Sequence, residues 1–467
     1  MDQRHKLPTI LWISCGVAAL GGFLFGFDMA VVSGILPLLT EQFALSAFQQ
    51  GWFVSSALVG CIVGVAMSGE LGDRYGRRRV LVLSAILFLV SALGCGSLPA
   101  FSSIVASRIL GGVGVGIASS MVPLYISEIA PARVRGRLVT YYQLAVTFGI
   151  LVAYLSNAFL LQTAVTDIIG NTPGWLGVWF NDQVWRGMFI VEALPALVFL
   201  LGLLAIPESP RWLIQKGRTA TGAALLHRFV GATEATADLE NRRQDGGQHR
   251  SSYRELFSPH LRKALLLGLL LPLFSQFCGI NAIIYYGPSI LSSAGVSLSS
   301  SLQSQIIFGV ANMAFTLIAV WKVDKLGRRP LYLIGTSASA LSLLVAGYCF
   351  YAGNTQGMLL LVAVIIFLAS FAFSLGPLKF VVAAEIFPAH IRGRAMALSI
   401  MVMWIADTII GQLTPLLLEG IGAAFTFWLF ALFCVLAFVA VYQLLPETKG
   451  KSLEEIERQW LEKNVNS

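Results

Sequence analysis

Polar side chains able to handle a small molecule stand where this chain is otherwise apolar. In residues 274–288, FSQFCGINAIIYYGP, Gln276, Asn281 and Tyr285 follow at intervals of five and four residues, with Gly279 and Gly287 thinning the helix around them. An amide donates and accepts hydrogen bonds at once, and a phenol does the same, so the set matches a ligand rich in hydroxyl groups. Each residue alone could equally be hydrogen-bonding glue between packed helices. Two further combinations are ionic. Asp28 lies mid-run in GGFLFGFDMAVVSG and Arg108 early in IVASRILGGVGVG. A charge deep in a membrane span costs at least about 2.5–3.5 kcal/mol, so it normally has both a partner and a task. The pair is either a structural ion pair or a proton site, with the carboxylate taking up or releasing its proton as the arginine moves. Lys379 and Asp407 are also charges inside apolar runs. They read as an ion pair between neighbouring spans, or as contacts to a ligand carboxylate (Lys379) and to hydroxyls or a second proton (Asp407).

The elements that carry these residues are set by composition. Of 467 residues, 56% are hydrophobic and only 12% charged, with a mean hydropathy of +0.76. That is the composition of a polytopic membrane protein. The net charge of +8 comes from short basic clusters between apolar runs, which is a topology signal and not a nucleic-acid surface. The six cysteines, Cys15, Cys61, Cys95, Cys278, Cys349 and Cys434, all fall in apolar runs without metal or redox spacing. They read as small buried hydrophobes. The five histidines, His5, His227, His249, His260 and His390, lie outside the apolar runs. No nucleophile–base pair or metal spacing occurs within the spans, so an intramembrane enzyme is not indicated, and no bound cofactor or metal is expected. The start, MDQRHKLPTILW, lacks a small-residue cleavage site behind its apolar run and reads as a retained first span.

Twelve apolar runs are found at about 9–37, 50–71, 79–99, 102–128, 137–161, 186–206, 261–291, 303–323, 331–352, 358–386, 394–418 and 423–445. Each is long enough for a helix across a hydrocarbon core of about 30 Å. Lys and Arg crowd the links after every even-numbered run, while the links after odd-numbered runs carry essentially none. By the positive-inside rule both termini and the long central loop are cytoplasmic. The expected organisation is a six-helix bundle over 1–206, a cytoplasmic linker with amphipathic helices over 207–260, a second six-helix bundle over 261–445 and a cytoplasmic tail over 446–467. Trp175, Trp179 and Trp185 in the long outside link suit an interfacial aromatic belt.

The halves repeat. GDRYGRRR at 72–79 is echoed by VDKLGRRP at 323–330, SEIAPARVRGR at 127–137 by AEIFPAHIRGR at 384–394, and PESPR at 207–211 by PETKG at 446–450. Three motifs in one order, kept twice at similar spacing, indicate an internal repeat, the architecture of secondary transporters whose halves rock about a central site. With RILGGVGVG, QFCGINAIIYYGP and GPLKFVVAAEIFPAHIRGRA, the chain resembles the sugar porter family of the major facilitator superfamily from Gly21 to Lys449. Its motifs look most like those of bacterial sugar–proton symporters of the xylose, glucose and galactose type. The resemblance implies an all-α membrane protein with the major facilitator fold, twelve transmembrane helices in two six-helix repeats around a central cavity.

The resemblance also implies roles. Asp73, Arg77, Arg78, Glu128, Arg135, Glu208 and Arg211, with Asp324, Arg328, Glu385, Arg392 and Glu447, would form ion-pair networks that gate the cytoplasmic side. Each exposed pair is worth only about 0–1 kcal/mol, which suits a gate that must open. Plain topology explains the arginine excess but not acids recurring at matching places. Asp28 with Arg108 would couple a proton. Phe23, Gln143, Gln276, Asn281, Tyr285, Asn312, Phe380 and Trp404 would bind the substrate, amides pairing with vicinal hydroxyls and aromatic rings walling the sugar. Gly376–Pro377 should break span 10 as a hinge. The chain departs from the family at Ser275, where a glutamine is usual, at Phe380 for tryptophan, at Ile150 for a second glutamine, and at Lys379 and Asp407 for neutral residues. The implied function is import of a hexose or pentose by proton symport through alternating access. The alternatives are facilitated diffusion, or symport of a cyclic polyol or sugar acid. A transporter-like sensor would usually need a longer cytoplasmic tail. The expected setting is the bacterial inner membrane, the coupling ion a proton, the partners a small sugar or polyol and the lipid bilayer, and the working unit a monomer.

Overall fold

A computed structural model describes residues 8–131, 134–165, 182–231, 235–236, 256–293, 295–355, 358–387 and 391–447. The first six spans are α1 (Thr9–Phe43), α2 (Ala47–Tyr75), α3 (Arg77–Ser97), α4 (Phe101–Ile129), α5 (Arg135–Val165) and α6 (Val184–Ala205). Two short helices follow, α7 (Pro210–Gln215) and α8 (Thr219–Val230). Span 7 is α9 (Arg262–Phe277) with α10 (Ile280–Ser293), and spans 8 and 9 are α11 (Leu298–Leu326) and α12 (Arg328–Tyr351). Span 10 is α13 (Met358–Phe373) with α14 (Leu375–Ile386), span 11 is α15 (Arg392–Gly420) and span 12 is α16 (Gly422–Leu444). All twelve are long and apolar enough to cross a membrane, and each covers an apolar run read from the sequence. Large apolar side chains such as Phe159, Leu194, Ile334 and Leu341 are exposed, the surface that lipid and not water would solvate.

Residues 1–31 with 59–248 form one compact unit, and residues 32–58 with 249–467 form the other. Within the second unit Gln412 joins α2 to α15. Ser55 donates to its Oε1 at 2.8 Å, and its Nε2 donates to the Phe48 carbonyl at 3.1 Å. A Cβ at Gly51 would stand 2.4 Å from the Gln412 carbonyl oxygen, so glycine permits the contact.

Within the first unit, small residues bring helix backbones together as membrane bundles require. A Cβ on Gly26 would meet the Val146 carbonyl oxygen at 1.9 Å, and one on Gly149 the Phe23 carbonyl oxygen at 2.0 Å. These two glycines let α1 and α5 cross closely, one turn from Asp28. Trp185, expected in an interfacial belt, is instead buried, with the Arg186 guanidinium 4.3 Å from its ring. Arg186 donates to the Leu98 carbonyl at 2.7 Å, placing a cation on the carbonyl end of α3. It is therefore a cap and not a loop charge, which the topology reading had overlooked. Trp175 and Trp179 lie outside the described residues.

The second unit holds two broken spans. Span 7 interrupts at Gly279, with φ +85°, a backbone state that a side chain disfavours. A Cβ there would also stand 2.3 Å from the Phe430 ring. Span 10 breaks at Ser374, with φ −127° and ψ −85°, near Gly376–Pro377 as expected. Pro377 falls in the first turn of α14, where its missing N–H has no helical partner to lose. Among the linker elements, α8 buries Leu226 and Phe229 on one face, the amphipathic pattern expected. Ser209 caps α7, accepting from the Trp212 amide.

Candidate functional site

In the first unit the structure joins Asp28 to Arg108. Both are 1% exposed, and Arg108 Nη1 donates to Asp28 Oδ1 at 2.5 Å. The arginine reaches the site because α3 and α4 pack tightly. Ser84 donates to the Gly114 carbonyl at 2.7 Å, and a Cβ on Gly111 would meet Ser91 Oγ at 2.4 Å. The guanidinium lies 5.9 Å from the centre of the Phe189 ring on α6. Asp28 Oδ2 is buried without a hydrogen-bond partner. A third charge, absent from the sequence reading, is Glu192 on α6, which is 2% exposed and within electrostatic reach of both Asp28 and Arg108. One guanidinium thus stands in the field of two carboxylates. Glu192 was findable by the rule that singled out Asp28, since it is a lone acid in an apolar span. Phe23 packs against Phe27 and Phe148, with ring centres 6.0 and 5.8 Å away. Gln143 is exposed on α5.

In the second unit the break at Gly279 sets Gln276 and Asn281 on either side of the turn, and Asn281 Nδ2 donates to Gln276 Oε1 at 2.9 Å. Tyr285 donates its hydroxyl to Asp407 Oδ2 at 3.1 Å. Lys379 Nζ donates to Ser275 Oγ at 3.0 Å. Lys379 and Asp407 are 6% and 3% exposed and act on each other electrostatically. Each charge is therefore hydrogen-bonded to a neutral hydroxyl, a detail the simple ion-pair expectation did not contain. Trp404 and Asn312 are buried, and the Asn312 carbonyl accepts from Thr316 at 2.7 Å. Tyr286, which the sequence did not single out, bonds the Gly411 carbonyl and ties α10 to α15. The side chain of Phe380 lies outside the described residues.

The charge motifs close on themselves within each unit. Arg77 holds Glu128 through Nε at 3.1 Å and Nη2 at 3.0 Å, and Asp73 through Nη1 at 2.9 Å. Glu208 accepts from the backbone amides of Arg78 at 2.9 Å and Ser209 at 2.8 Å. The Ser209 hydroxyl donates to Glu128, so PESPR is bound to SEIAP. Arg135 heads α5 and Arg211 lies on α7. In the second unit Arg328 pairs with Glu385 at 3.0 Å. Glu447 accepts from the amides of Arg328 and Arg329 at 3.1 and 3.2 Å, repeating the role of Glu208. A carboxylate at a helix N-terminus also meets the positive end of the helix dipole. The side chains of Asp324 and Arg392 lie outside the described residues. Among the described residues no cluster of metal-ligating side chains occurs, and all six cysteines are free and buried.

Comparison with known proteins decides the family. Residues 14–460 match the family described as "Sugar (and other) transporter". The chain belongs to the sugar transporter family. It is similar to the arabinose-proton symporter of Bacillus subtilis, with 39% identity over 99% of this chain and 97% of that one. It is similar too to the D-xylose-proton symporter of Escherichia coli, with 36% identity over 98% and 97%. The inward-open structure of the Escherichia coli xylose transporter superposes with a TM-score of 0.81 at 35% identity, covering 96% of this chain and 100% of that one. The fold is accordingly that of the major facilitator superfamily, and this sugar transporter family member is a multi-pass membrane transporter, not an enzyme.

Proposed function

We propose that the chain imports a monosaccharide, a hexose or pentose, by proton symport through alternating access. The observation that carries this reading is the sealed Asp28–Arg108 pair, with Asp28 Oδ2 left without a hydrogen-bond partner. An acid buried in a span beside one arginine and a second acid can bind a proton when the arginine turns away, and release it when the arginine returns. The relatives named for arabinose–proton and xylose–proton symport support the coupling. The proton is the coupling ion and no bound cofactor takes part. Gln276, Asn281, Tyr285, Asn312, Phe380 and Trp404 in the second unit are the substrate contacts. The charge motifs act as the cytoplasmic gate, with Arg77, Glu128, Arg328 and Glu385 at their centres. Both termini are cytoplasmic, the setting is a bacterial inner membrane, and the monomer is the working unit.

The test is external pH in a weakly buffered suspension of proteoliposomes carrying the purified chain, with hexoses and pentoses added singly. Alkalinisation on adding one sugar is the expected result. Labelled-sugar uptake without a pH change would leave a uniporter, with Asp28 structural.

A further inference from the structure

Lys379 and Asp407 place one positive and one negative charge among Gln276, Asn281 and Tyr285 in the second unit. Asp407 is 3% exposed. Its Oδ2 accepts from Tyr285 at 3.1 Å, but its Oδ1 is buried with no hydrogen-bond partner. Asn281 lies within hydrogen-bonding reach of this carboxylate, and one of its two amide N–H groups goes to Gln276 at 2.9 Å. A buried carboxylate oxygen without a donor carries the full cost of its lost water, so it marks a place where a donor arrives. Across from it, Lys379 donates to Ser275 Oγ at 3.0 Å. The only hydrogen on that serine oxygen goes to the Pro272 carbonyl at 2.8 Å, so Ser275 serves the ammonium as an acceptor. Trp404 stands three residues before Asp407, on the same face of α15.

We propose that Asp407 Oδ1 accepts a hydroxyl of a neutral sugar directly, with Lys379 as countercharge and second anchor, so that the transporter holds its substrate by charge-assisted hydrogen bonds. This rests on the sugar-import reading above and specifies its substrate as uncharged. Charge counting decides the class. The two side chains sum to zero, so a neutral ligand leaves the site neutral. A ligand carboxylate would add an uncompensated negative charge beside Asp407, in surroundings that disperse it poorly. A hydroxyl can donate to Asp407 and accept from Lys379, and bonds to ionised partners are about twice as strong as neutral ones. Such a site discriminates sharply among sugar hydroxyls, because each lost donor leaves the carboxylate unsatisfied again.

The experiment measures binding to the purified full chain in nanodiscs by calorimetry. The probes are D-xylose, L-arabinose, D-glucose, the monodeoxyfluoro analogues of whichever binds most tightly, and D-glucuronate. The proteins are the wild type, Asp407→Asn, Lys379→Met and the double variant. Asp407→Asn is expected to weaken the neutral sugar about tenfold or more, the equivalent of about 1.4 kcal/mol. One deoxyfluoro analogue should bind poorly to the wild type and lose nothing further in Asp407→Asn, which identifies the hydroxyl concerned. Recovery of wild-type affinity in the double variant would reduce the pair to mutual neutralisation and overturn the proposal. So would glucuronate binding more tightly than glucose and losing that advantage in Lys379→Met. Should the variants not fold, the wild-type analogue series decides alone, and an even response at every hydroxyl overturns it. Sugar binding untouched by Asp407→Asn removes this proposal and leaves the import reading standing. No sugar bound by the wild type removes both.

Discussion

Asp28 and Arg108 in the first unit touch one another, whereas Lys379 and Asp407 in the second each hold a neutral hydroxyl. Both acids keep one oxygen unsatisfied, Oδ2 of Asp28 and Oδ1 of Asp407. Their surroundings differ in charge. Asp28 and Glu192 both lie in the field of Arg108, so the first site carries one more acid than base. Lys379 and Asp407 balance without help, and their neighbours are groups that also bond sugars. A charge imbalance suits an ion carrier and a balanced polar array suits a neutral ligand. On the proposed function, the two sites divide coupling from cargo by which partner each buried acid is given.

Four tests probe that contrast. The largest effect belongs to Asp28→Asn, which should abolish accumulation against a gradient while counterflow exchange of substrate continues, as read by labelled-sugar uptake. Accumulation that survives would remove the first site from coupling. Next come Arg108→Met and Lys379→Met, compared by thermal unfolding in detergent. Losing Arg108 strands two buried acids and should cost about 3–5 kcal/mol. Losing Lys379 leaves Asp407 its Tyr285 hydroxyl and should cost less, about 1–3 kcal/mol. Equal losses would erase the distinction drawn here.

Gly279→Ala comes third. Its methyl would enter the Phe430 ring at 2.3 Å in a backbone of φ +85°, at a cost of about 1–3 kcal/mol. Because this break orients Gln276 and Asn281, sugar affinity should fall with stability, while proton uptake by the first unit is unchanged. The last test extends the comparison to the charge motifs. Arg77 and Glu128 have side chains only 6% and 8% exposed, against 14% and 23% for Arg328 and Glu385. Glu128→Gln should cost about 1.5–3 kcal/mol, and Glu385→Gln about 0–1 kcal/mol. The reverse order in unfolding midpoints would contradict the burial difference.

Much of the site was legible in the chain because a membrane makes polar residues conspicuous. A carboxylate in FLFGFDMAVV or an amide in QFCGIN has no solvent to explain it. Glu192 obeys the same rule and was passed over, so its omission lay in the reading and not in the signal. Ser209 and Ser275 were not legible in this way. Serine is common in membrane helices, and only the neighbours show that one bonds Glu128 and the other Lys379. The break in span 10, expected near Gly376–Pro377, falls at Ser374, because Pro377 has no N–H to carry the helix back through the preceding turn.

The sequence by itself determined the number of spans, the repeat of the charge motifs and the identity of the isolated intramembrane charges. These follow from local quantities, apolar run length and residue type, which the thickness and dielectric of a bilayer convert directly into structure. Only the tertiary structure decided which charge meets which. It set Glu192 in the field of Asp28 and Arg108, gave Lys379 to a serine, and joined Ser55 to Gln412. Such pairings depend on helix rotation and on contacts between residues far apart in the chain, and a one-dimensional pattern does not carry that geometry.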